Sequence, residues 1–191
     1  MEPKSRHANS ARWESVERKM ITALIFFILA SPALAQESTA TTSGLSGCGR
    51  ANIKFDVRLD QAQLPTEPES GKALVYIIEG DGQVECLGGC VTVRVGLDGA
   101  WVGANQGYSH FSFSVLPGEH HLCSNWQSRL AVYSSHYALA NFTAEAGKVY
   151  YFRTRVWASD RTVRLDLDPV NSDEGRYLVA ASPLVVSHPK K

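Results

Sequence analysis

The chain lacks a charge imbalance: its 191 residues carry 19 Lys and Arg against 19 Asp and Glu, a formal net charge of zero. Binding to nucleic acid or to an anionic membrane surface draws on a basic stripe that such a composition does not supply. A membrane-crossing helix needs about 20 consecutive apolar residues, and the apolar run Ile21 to Ala30 is too short for one. Signatures of catalysis are missing as well. There is no Gly-x-Ser-x-Gly elbow, no His-Glu-x-x-His and no Gly-rich loop leading into a helix. No internal repeat of solenoid length is present. Nothing in the sequence specifies a reaction or a ligand.

What is present begins with a targeting segment. Arg18 and Lys19 precede the apolar run, and Ser31-Pro32-Ala33-Leu34-Ala35 follows it. That order predicts a secretory signal peptide, residues 1–35, cut after the A-x-A motif and before Gln36. An uncleaved N-terminal anchor is the alternative. Twenty residues ahead of the run is long for such a segment, so Met20 is a second candidate start beside Met1. Gln36, not Cys, follows the cut, so no lipid can be attached there. The expected mature chain, with 14 basic and 16 acidic residues, is exported to the periplasm or secreted outside the cell.

Residues 36–47 are rich in Ser, Thr and Gly, bury too little to offset the entropy of ordering, and are expected to form a flexible leader. Residues 48–180 carry the grammar of one β domain, with apolar residues at 44% of the whole sequence, enough for a core. Ile53, Phe55 and Val57 alternate with Lys54, Asp56 and Arg58, which predicts a half-buried strand. Ala73 to Glu79 is a continuous apolar run between glycines, which predicts a central strand. Val91, Val93, Val95 and Leu97 alternate with Thr92, Arg94, Gly96 and Asp98. Asp98-Gly99 then signals a type I′ hairpin, because that turn needs positive φ at both positions. Ala100 to Ala104, Ser109 to Leu116 and Glu119 to Asn125 follow, separated by turns at Asn105-Gln106-Gly107 and Pro117-Gly118. With the strand before Asp98, they make a predicted four-stranded meander.

Gln127 to His136 is expected to be a loop or one helical turn. Leu139 to Ala144 and Lys148 to Val156 flank a predicted hairpin loop at Glu145-Ala146-Gly147. Val163, Leu165 and Leu167 mark a further strand. Asn171 to Gly175 is expected to be a polar turn, Arg176 to Ala180 a last short strand, and residues 181–191 a partly ordered tail. The sum is an all-β chain: one Ig-like or PEGA-like β-sandwich of roughly eight or nine mainly antiparallel strands.

Four blocks carry a resemblance. They are Gly71 to Tyr76 (GKALVY), Val95 to Asn105 (VGLDGAWVGAN), Phe111 to Cys123 (FSFSVLPGEHHLC) and Phe142 to Arg153 (FTAEAGKVYYFR). In their order and spacing they resemble the bacterial family catalogued as domain of unknown function 2846, whose members are exported proteins and lipoproteins. The resemblance covers roughly Ala73 to Val156. The cadence from Leu97-Asp98-Gly99 to Pro117-Gly118-Glu119-His120 is also similar to PEGA-type sandwich modules of bacterial envelopes. It implies a small β-sandwich and brings no catalytic residues. The chain departs from the lipoprotein members by lacking a Cys at the cleavage site.

Four cysteines, Cys48, Cys86, Cys90 and Cys123, lie in the expected mature chain. In an exported protein an even count points to two disulfides, with three possible pairings. The favoured pairing is Cys48 with Cys123 and Cys86 with Cys90. The rivals are a metal site using Cys86 and Cys90 with a histidine, and a redox pair made of the same two thiols. No second close pair completes a zinc site, so neither metal nor cofactor is expected.

His110, Glu119, His120 and His121 are the residues from which a metal-assisted or hydrolytic centre could be built. Adjacent strand residues point to opposite faces, so His120 and His121 cannot enter one simple site. His120 shares a side with Leu122 and is expected to be hydrogen-bonded and partly buried. Ser112 and Ser114 read as the polar row of an alternating strand. Among the aromatics, Trp101 and Tyr108 flank a turn and form the candidate interaction surface. Asn141-Phe142-Thr143 matches a glycosylation acceptor by chance. The function expected from the sequence is a non-catalytic binding or structural module of the cell envelope. Its partner would be an envelope protein or a glycan, not nucleic acid, and the mature chain would have no transmembrane span.

Overall fold

The computed structural model describes residues 47–60, 67–80, 91–158 and 162–191. The signal peptide, most of the leader, and Cys86 and Cys90 lie outside the described residues. Among the described residues ten strands and two helices follow in order: β1 (Phe55–Leu59), β2 (Ala73–Glu79), β3 (Thr92–Leu97), β4 (Ala100–Gln106), β5 (His110–Val115), β6 (Gly118–Trp126), α1 (Ala131–Ser134), β7 (Tyr137–Ala144), β8 (Val149–Ala158), β9 (Val163–Val170), α2 (Ser172–Ala181) and β10 (Val185–Pro189). No helix among the described residues is long and apolar enough to cross a membrane.

The strands form two four-stranded sheets, ordered β5-β2-β8-β9 and β4-β3-β6-β7, and a two-stranded sheet of β1 with β10. The sequence thus folds as the all-β sandwich its alternation predicts, with somewhat more strands. Pairing is antiparallel except between β2 and β8, which run parallel. Val75, Ile77, Phe111 and Phe152 of the first sheet meet Val95 and Leu122 of the second in one shared core. A second cluster, Val93, Trp126, Val156 and Leu165, extends it. All seven residues of β2 are buried, since α2 packs over the outer face of its sheet where Tyr76 stacks on Tyr151. A strand covered on both faces is continuously apolar, as this one is from Ala73 to Ile78.

Expectations change in three respects: strand connections, one helix and the tail. The run from β3 to β6 is not a meander: β3 and β4 form the predicted hairpin, with φ of 49° at Asp98 and 88° at Gly99. The chain then crosses to the other sheet for β5 and returns to place β6 beside β3. Likewise β7 and β8, joined through Glu145 to Lys148, belong to different sheets and are not a hairpin. The predicted turn at Asn105 to Gly107 is shifted, because Asn105 and Gln106 complete β4. Second, Asn171 to Ala180 is neither a turn nor a strand. Asn171 caps α2, its side-chain oxygen accepting from the amides of Asp173 and Glu174, each at 3.0 Å, and those two acids suit the positive end of the helix. Third, the expected tail contains β10, whose Val185 is buried and pairs with Leu59.

Candidate functional site

The outer face of the second sheet carries the polar row predicted for β3, and the middle of that row, Arg94 and Gly96, is covered. Arg94 is only 4% exposed. Residues 47–53 lie across the face and are tied down at several points. Cys48 is disulfide-bonded to Cys123 of β6, with 5.0 Å between their Cα atoms. The Arg94 guanidinium donates to the carbonyls of Ala51, at 3.1 Å, and Ile53, and to the side chain of Asn125. Further along, Gln127 makes a paired contact with the backbone of Phe55, accepting from its amide and donating to its carbonyl. Gly96 permits this approach, since a Cβ there would lie 2.4 Å from the carbonyl oxygen of Gly47.

Trp101 belongs to this clasp. Its indole donates to the Arg50 carbonyl at 2.7 Å, Arg94 sits 4.4 Å from the ring centroid, and Gly49 packs against its edge. Tyr108 is exposed but stands beyond the far end of β4. Trp101 pairs with Gly96 while Gln106, two residues before Tyr108, pairs with Thr92. The two aromatics therefore do not share a patch, and Trp101 is used to hold the crossing segment.

Beside that segment is a shallow groove of about 180 Å³ lined by His121, Leu122, Leu139, Ala140 and Asn141. The register sets its walls: His121 faces Asn141 across β6 and β7, and Leu122 faces Ala140. Leu139 is a half-exposed apolar side chain next to an exposed imidazole and an exposed amide. The groove can offer a hydrophobic contact and hydrogen-bonding groups to a ligand on the open face. Its composition was not legible in the sequence, because Leu139 lies eighteen positions from His121 and only pairing brings them together.

The histidines are separated, as strand alternation predicts. His120 turns inward, 5.5 Å from the Phe142 ring centroid. Its Nδ1 lies 2.7 Å from Asp98 Oδ2, its Nε2 lies 2.8 Å from the Leu116 carbonyl oxygen, and Asp98 Oδ1 accepts from the His121 amide at 2.8 Å. Burial alone would lower the His120 pKa, but the Leu116 carbonyl and the Asp98 carboxylate outweigh it and hold the ring above its ordinary value. For Asp98, burial is outweighed by the His121 amide and the His120 ring, which hold the carboxyl below its ordinary value. With an acceptor at each nitrogen, the protonated imidazolium satisfies both contacts. Glu119 lies on the opposite face of β6.

His110 is in the other sheet, 2% exposed. Ser182, just past α2, donates its hydroxyl to the Leu178 carbonyl at 2.7 Å. The His110 Nδ1 lies 2.8 Å from the same hydroxyl oxygen, so that nitrogen carries the proton in this contact. Its Nε2 is buried without a partner, and burial lowers its pKa despite Ser182. Ser182 is the partner that sequence reasoning missed, and no local spacing marks it. Ser114 donates to Glu69 at 2.9 Å, as a surface polar row would. No cluster of three His, Cys, Asp or Glu side chains with metal-binding geometry occurs among the described residues. Compared with protein-family models, curated proteins and solved structures, the chain matches none.

Proposed function

We propose that the mature chain is a non-catalytic β-sandwich module, exported to the bacterial cell envelope and binding a partner protein or glycan there. The observation that carries this reading is that two of the four candidate acid–base side chains, His110 and His120, are engaged in structure. A general base needs a ring nitrogen within reach of a substrate proton. His120 has both nitrogens in hydrogen bonds, and His110 is buried with Nδ1 on Ser182. The groove around His121, Leu139 and Asn141 is the surface this reading assigns to the ligand. Export is supported by the order of residues 18–35 and by the Cys48–Cys123 disulfide, which suits an oxidising compartment. The resemblance to domain of unknown function 2846 points to the same place.

Three measurements test it. N-terminal sequencing of protein recovered from the periplasmic fraction is expected to begin at Gln36. Retention on isolated peptidoglycan or on immobilised envelope proteins is expected for the wild type and lost in Leu139→Glu, with thermal stability unchanged. Turnover across a hydrolase panel in the presence of chelator, abolished by replacing His110, His120 or His121, would overturn the reading.

A further inference from the structure

One end of the sandwich interior holds two buried oxygen atoms, neither of which takes part in a hydrogen bond. Ala73, Val75 and Ile77 of β2 point into the shared core, and strand alternation puts Glu79 on that same inner side. Glu79 is 6% exposed. From the facing sheet Asn105, fully buried, pairs with the core residue Val93. Its Nδ2 crosses the interior to donate to the Ile77 carbonyl at 3.2 Å and the Ser109 carbonyl at 3.3 Å. The Ser109 carbonyl also accepts from the Glu79 amide at 2.8 Å. One carbonyl thus brings the Asn105 side chain beside Glu79. What remains is Asn105 Oδ1 and Glu79 Oε2, both sealed from solvent and both without a hydrogen bond.

Among the described residues the surroundings offer no cation. Thr154, opposite Glu79 on β8, directs its hydroxyl to the Ile78 carbonyl. Ser109 Oγ accepts from the Gln106 amide, and the Gly107 backbone amide contacts the Glu79 carboxyl. Arg153 packs on Gly80 and is ion-paired to Glu174 of α2, while the His110 ring turns to Ser182 on the outer face of the sheet. Arg94 is on the outer face of the second sheet, held by Ala51 and Asn125. Residues 81–90, which continue the chain, include Asp81 and Glu85 but no Lys, Arg or His. An ionised Glu79 would set an uncompensated charge against a carbonyl oxygen in a low-dielectric interior, which is strongly unfavourable.

We propose that Glu79 is a neutral carboxylic acid in the folded protein and donates its proton to Asn105 Oδ1, closing this end of the sandwich with a proton-dependent bridge. A single proton supplies the donor that both oxygens lack. Burial, opposed only by the Gly107 amide, holds the Glu79 carboxyl well above its ordinary 4.5. The folded chain therefore keeps a proton that the unfolded chain releases. The stabilisation is complete below about pH 4.5 and is lost as pH rises through the raised folded value. The bridge sits at the C-terminal end of β2.

Glu79→Gln tests this, because the amide is a permanent donor of the same shape. Within the window above pH 4.5, the wild-type folding equilibrium constant is expected to fall about tenfold per pH unit relative to Glu79→Gln. A wild-type to variant ratio that does not change with pH would overturn the proposal. Should the variant fail to fold, the carboxyl-carbon chemical shift of Glu79 in the full wild-type chain decides. A shift typical of a protonated acid at pH 6 supports the bridge, and ordinary carboxylate titration near 4.5 refutes it.

Discussion

At the first corner of the β3–β4 turn, Asp98 adopts φ of 49° and joins that turn to β6 through His120 and the His121 amide. The sequence marks it as a turn residue and gives no sign of the second role, which depends on where β6 returns. The two pKa directions bound the pH range of this contact. His120, raised above 6.5, contributes fully below about pH 6.5, and its contribution is lost as pH rises through the folded value. Asp98, lowered below 3.8, contributes above about pH 3.8 and loses this as pH falls through its folded value. Asp98→Asn is therefore expected to cost about 1 kcal/mol near pH 5 to 6, reduced from the value for a buried charged bond by partial exposure. The cost narrows at higher pH, as urea unfolding at several pH values will show. Arg94 makes a sharper case. Arg94→Met keeps the aliphatic stem but leaves two backbone carbonyls and Asn125 without their donor, a loss of about 3 kcal/mol. Hydrogen exchange is expected to accelerate first across residues 47–55.

Among the elements, α2 and β10 are where sequence patterning fails, and each fails for a physical reason. Gly175 lowers intrinsic helix propensity, and Asn171, Ser172 and Asp173 are turn formers as readily as they are caps. What selects the helix is contact, since Gly175 lies so close to Tyr151 that a Cβ would be 2.2 Å from the ring. Gly175→Ala, ordinarily favourable in a helix, is expected here to cost about 1 to 3 kcal/mol by overpacking. The check is a lower melting temperature with faster exchange confined to α2 and the top of β8. For β10 the missing information is a partner: Val185 to Pro189 becomes a strand because β1, some 130 residues earlier, runs beside it. The central strand β2, by contrast, was fully legible, since an unbroken apolar run states that both faces are covered.

Taken as a whole, the molecule is fastened where residues 47–53 cross the second sheet. The Cys48–Cys123 bond closes a loop with a sequence separation of 75, and by restricting the unfolded chain it contributes about 4 kcal/mol. Replacing both cysteines by alanine is expected to lower the urea midpoint by the corresponding amount without changing the strand content seen by circular dichroism. Thiol titration of the denatured, unreduced protein is expected to leave Cys48 and Cys123 unreactive. Labelling of either would remove the disulfide from this account.

The sequence by itself determined the all-β class, the faces of most strands, the Asp98-Gly99 hairpin and the separation of His120 from His121. These are local properties: a repeat of two fixes which side of a strand a residue occupies, and positive φ is written into turn residues. Only the tertiary structure decided which strands are neighbours, that β5 leaves its apparent meander, and that Arg94 is roofed by residues 47–53. It alone placed Glu79 beside Asn105 and His121 beside Leu139. Alternation carries no information about the identity of the partner strand, because any strand of matching face can pair with any other. That choice is made by the packing of the two sheets together.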